Sequence, residues 1–146
     1  MEILRIVEHI HGHAGWLAVA ALVHPAVLLR KRGRRAHLSV GLAASVATLV
    51  AAVGAWLYVP YREKLRPGIF QQAPDVGAMF ERKEHLAFAA VILAWIGALA
   101  YFGSWKTESE TRDRLHRLSH RAFVVAAVLA AAVASLGTYV ASYRTF

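Results

Sequence analysis

The sequence predicts an all-α integral membrane protein, a four-helix bundle running up-down-up-down with both termini on the outer side. Three observations lead there. Hydrophobic residues make up 58% of the 146-residue chain, above the roughly 45–50% of an ordinary soluble domain. They are gathered into four runs, with the charges almost confined between them. Finally, the second and fourth runs carry no polar face at a 3.6-residue period, which a soluble helix would need. Alanine dominates the runs, and an open sheet could not satisfy its backbone in lipid, so the spans are helical.

A helix needs about 20 residues to cross ~30 Å of hydrocarbon. The expected spans are 8–29, 38–59, 85–104 and 120–143, forming a single transmembrane domain over 1–146 with an outer loop at 61–84. The first span reaches full length only if the histidine-rich stretch His9–His13 is helical and partly immersed. Arg5 and Glu8 precede it, and its apolar run continues through Pro25 to Leu29 without a cleavage site, so we expect a span rather than a cleaved leader.

The connection between the first two spans holds Arg30, Lys31, Arg32, Arg34 and Arg35, with Gly33 suited to a tight turn. The connection before the fourth adds Lys106, Arg112, Arg114, Arg117 and Arg121. By the positive-inside rule both lie in the cytoplasm, giving an N-out, C-out protein of a bacterial inner membrane. The basic composition is thus a topology signal; a nucleic-acid reading would need stacking aromatics and a basic groove. The middle connection is broken by Pro67-Gly68 and Pro74 yet stays partly apolar. Such a length is usually functional or contains a short helix, and it is expected along the outer interface. Trp56, Tyr58, Tyr61, Tyr139 and Tyr143 form an expected outer aromatic belt, and Tyr101, Phe102 and Trp105 an inner one.

Small residues recur every four positions: Ala43, Ala47 and Ala51; Ala90, Ala94 and Ala98; Ala127, Ala131 and Ser135. That spacing lets helix backbones approach closely in lipid, or leaves room for a planar cofactor. Cysteine is absent, which removes disulfides, thiolate metal sites and covalent c-type haem attachment. Histidine and carboxylate are the remaining strong ligands.

The eight histidines fall into two layers. The outer one holds His9, His11, His13 and His85; the inner one holds His24, His37, His116 and His120. His13 and His24 are eleven positions apart, so on a helix they point about 20° apart and stand ~16 Å apart along the axis. His9 shares their face and His11 points away. Two same-face histidines at opposite depths are how one helix can hold two stacked haems, each completed by a histidine from a neighbouring helix. The available partners are His85 outside and His120 inside, with His9, His37 and His116 as substitutes. His24 lies inside its span, where an ionisable residue reads as functional, and Pro25 beside it frees the Ala21 carbonyl and favours a kink. As an axial ligand through Nε2, His24 would need a carbonyl or hydroxyl at its other ring nitrogen.

Through His13, His24, His85 and His120 the chain resembles the small four-helix membrane b-type cytochromes. That resemblance implies one or two haem b groups and electron transport between a quinone pool and other membrane redox subunits, as part of a respiratory or photosynthetic complex rather than as a stand-alone enzyme. Two alternatives stand beside it. One is a cofactor-free accessory subunit of a larger membrane complex. The other is a metal-dependent membrane enzyme built on Glu8 and His11, a Glu-x-x-His pair, with Glu81, Glu84 and His85. His116 and His120 also have the spacing that puts two imidazoles on one metal, on the opposite side of the membrane.

Overall fold

The structure is a computed structural model that describes residues 2–31 and 35–143. Five α-helices follow one another: α1 (Glu2–Leu28), α2 (His37–Lys64), α3 (Arg66–Gln72), α4 (Pro74–Gly103) and α5 (Ser109–Ser142), with a 3-10 turn at Ser104–Lys106 after α4. All but α3 are long and apolar enough to cross a membrane. The basic turn at 32–34, with Gly33, and Arg144 lie outside the described residues.

The helices overrun the expected spans. α2 continues to Lys64 and α4 begins at Pro74, so the segment expected as the loop 61–84 is almost wholly helical. The prolines that read as breaks sit instead at helix starts. Pro67 opens α3 and Pro74 opens α4, positions where the missing N–H would have had no helical acceptor. Only Leu65 and Ala73 interrupt the three helices, and the backbone bonds Leu65 N–H to Tyr61 carbonyl and Ala73 N–H to Ile69 carbonyl keep those corners tight.

Around the bundle, α1 packs on α2 and α5, and α4 packs on α2 and α5. The side-chain contacts between successive helices run in opposite chain directions. On α1 and α2, His11 meets Gly54 while His24 meets Ser39. On α2 and α4, Tyr61 stacks on Phe80, Thr48 meets Trp95, and Ala36 meets Tyr101. The main core consists of Leu22, Val40, Ala43, Ala94, Phe123 and Ala126, all at 0% exposure, with smaller neighbours.

The small residues do what close packing asks of them. Ala43, Ala47, Ala90, Ala94, Ala98 and Ala127 are buried, and Gly97 accepts the Phe123 ring so closely that an added Cβ would lie 2.9 Å from it. Ser135, expected in the same series, is exposed. Outward, Leu17, Val27, Leu42, Leu49, Phe88, Leu99 and Val128 are exposed, compatible with contact with lipid.

Candidate functional site

At one end of the bundle α2, α3 and α4 build an aromatic and ionic cap. Tyr61 stacks on Phe80 with ring centroids 3.8 Å apart, and Tyr58 lies against both. Lys83 stands 4.1 Å over the Phe80 ring while its Nζ donates to Glu84 at 2.7 Å. Arg66 donates to Glu81 at 2.8 Å and lies over Phe70. That bond raises the Arg66 pKa further above its ordinary value. Gly77 lets the Phe70 ring approach α4, where a Cβ would come within 2.6 Å. The Tyr61 hydroxyl is buried without a hydrogen-bond partner.

Of the α1 histidines, His11 turns inward. Its ring packs on Gly54 of α2, where an added Cβ would lie 3.0 Å from Cε1, and its Nδ1 is buried without a partner among the described residues. His9 and His13, expected to share a face with each other, are both exposed. His11 rather than His13 faces α2, because the face of α1 that carries the buried Ala18, Leu22 and Pro25 also carries residue 11.

The five-residue alternative Glu8, His11, Glu81, Glu84 and His85 is not assembled as a metal centre. Among the described residues no three His, Asp or Glu side chains converge closely enough to hold an ion. Glu81 and Glu84 are each neutralised by a cation, Arg66 and Lys83, and His85 turns outward with its Nδ1–H donating to the Glu81 carbonyl at 3.0 Å.

At the other end, His24 leans on α2, its Nδ1 2.8 Å from Ser39 Oγ. The hydroxyl that an axial role demands of its second nitrogen is therefore present. His24 and His85 share one disposition: Nδ1 is engaged by a neighbour, and Nε2 is left for another partner. On α5, the His116 Nε2–H donates to the Leu29 carbonyl at 3.0 Å, and the Nδ1 of His120 is buried without a partner. His37 packs edge-on against Trp105, 6.0 Å between centroids, and Trp105 continues into Tyr101 and Phe102.

His24 is held by Ser39 of α2, and His13 and His85 are both exposed. Two interactions had no counterpart in the sequence reading. The Trp95 indole donates to Thr48 Oγ1 at 2.9 Å, and the Tyr101 hydroxyl accepts from the Ala36 N–H at 2.8 Å. A lone threonine and a lone tryptophan amid alanine and valine were the available signal. No family model, curated protein or solved structure matches this chain.

Proposed function

We propose that this protein is an electron-transfer subunit of the membrane b-type cytochrome kind. In this reading the helices cross the bilayer up-down-up-down, with both termini outside and Arg30–Ala36 in the cytoplasm. The observation that carries the haem reading is the His24–Ser39 bond. It orients an imidazole inside a membrane helix with Nδ1 occupied, the outer-shell arrangement typical of ligating histidines.

Three features of the bundle bear on a haem. His24 and His85 have the ligand-like disposition, and His11 and His120 each carry a buried ring nitrogen without a partner. The centre of the bundle is filled by Leu22, Ala94, Phe123 and their neighbours. A haem would then sit on a helix face, with His24, steadied by Ser39 beside α2, among the residues that would hold it. His13 stands on the same outward side of α1, one layer away. Haem would supply one-electron redox chemistry; Ser39 fixes the His24 ring, and the surrounding apolar helices exclude water. His120, His85 or a histidine of a neighbouring subunit would complete the set of residues holding the group.

The test is haem per protein and the reduced-minus-oxidised spectrum for wild type, His13→Ala, His24→Ala and the double variant. With two haems, each single variant loses roughly half the pigment and the double variant loses it all. Ser39→Ala should retain haem with a shifted potential. Purified wild type without haem would overturn this reading and leave the cofactor-free accessory subunit.

A further inference from the structure

α5 is 34 residues long, about 51 Å at 1.5 Å per residue, against ~30 Å of hydrocarbon. Its first turns therefore stand outside the hydrocarbon. Arg114, Arg117 and Arg121 share one side of that projecting part with Val124 and Val128, all five within an arc of about 80° at 100° per residue. All five are exposed, Val128 to 63%. A single outward stripe of α5 thus begins basic and turns apolar one residue triplet after Arg121. Arg114 is occupied by Glu110, while Arg117 and Arg121 have no ion-pair partner among the described residues.

Neighbouring elements bring further cations to the same level. The His116 bond to the Leu29 carbonyl ties the end of α1 to α5, and the exposed Arg30 and Lys31 follow at once. Exposed Phe102 at the end of α4 and Trp105 in the 3-10 turn after it mark the same depth, as amphipathic rings do at a headgroup boundary.

We propose that Arg117 and Arg121, supported by Arg30 and Lys31, form a binding rim for the phosphate of anionic phospholipids. Guanidinium forks match phosphate oxygens, and clustered basic residues beside a membrane helix attract anionic headgroups. The continuity of the stripe decides between a lipid and an acidic protein. A lipid whose phosphate meets Arg117 and Arg121 can lay its acyl chains along Val124 and Val128, so one ligand satisfies both halves. The inference rests on membrane insertion alone and is independent of any haem.

Native mass spectrometry of the full chain in detergent, titrated with dioleoyl phosphatidylglycerol or dioleoyl phosphatidylcholine, tests it. Wild type should retain phosphatidylglycerol preferentially. Arg117→Gln/Arg121→Gln should weaken that retention on the order of tenfold, with unchanged helical circular dichroism and elution volume. Arg62→Gln/Arg82→Gln, at the cap end, should match wild type. Inorganic phosphate at the same concentration should not displace the lipid. Equal retention of both lipids, an unaffected α5 variant, an equal loss in the cap-end variant, or full displacement by inorganic phosphate would each overturn the proposal.

Discussion

Trp95 on α4 donates its indole N–H to Thr48 on α2 at 2.9 Å, and the Thr48 hydroxyl donates in turn to the Ala44 carbonyl at 2.8 Å. The two residues are 47 positions apart in the chain and sit amid apolar side chains well inside their helices. Within a bilayer such a hydrogen bond would have no water to compete with, yet measured values within membranes average only about 0.6 kcal/mol and reach roughly 1.7. Thr48→Val keeps the shape and removes the acceptor. We expect a loss of about 1 kcal/mol in a denaturing-detergent titration and a change in Trp95 emission. Thr48→Ser should retain most of the stability, and equal stability of Thr48→Val and wild type would show the bond to be incidental.

The contact between Gly97 and Phe123 sets the separation of α4 and α5. Phe123 is fully buried, and a Cβ on Gly97 would lie 2.9 Å from its Cδ2 and Cε2. The ring must shift to admit the new methyl, so Gly97→Ala should cost about 1–3 kcal/mol through overpacking, partly offset by up to about 1 kcal/mol of better helix propensity. Gly97→Leu should cost more. Combining Gly97→Ala with Phe123→Leu should recover part of the loss, a coupling that a double-mutant cycle measures. Gly137, with nothing within 4 Å of its Cβ position, is the control, and Gly137→Ala should be neutral or stabilising.

Orientation can be read by single-cysteine labelling in the otherwise cysteine-free chain. Lys31 and Gln72 are both exposed, after α1 and at the end of α3. A membrane-impermeant maleimide applied to intact spheroplasts should label Gln72→Cys and spare Lys31→Cys until the membrane is opened. The reverse pattern would place the basic end outside and invert the assignment of the two histidine layers. The lipid-binding rim would then face the other leaflet.

The sequence alone was enough for the class and number of the main elements. Segregated apolar runs become helices in lipid because no solvent is there to satisfy an unpaired backbone, so hydropathy and length carry the information. It also carried the close packing of Ala43, Ala47, Ala94 and Ala98, since only small side chains let backbones approach. The middle connection was read as able to contain a short helix, which α3 is, but its helical extent was not legible, because Pro67 and Pro74 look alike whether they end a helix or begin one.

What the tertiary structure decided is which way each helix faces. In water a helix declares its inner side by hydrophobicity, but in a bilayer the lipid face and the core face are equally apolar, and periodicity loses that meaning. His11 packing on Gly54, while His13 stays exposed, could not be read from a run in which both are plausible. The same holds for Ser39 reaching His24, Thr48 meeting Trp95, and Tyr101 accepting from Ala36. Each joins residues far apart in the chain whose meeting depends on helix rotation, and rotation is set by the fit of small residues against large ones, such as Gly97 against Phe123.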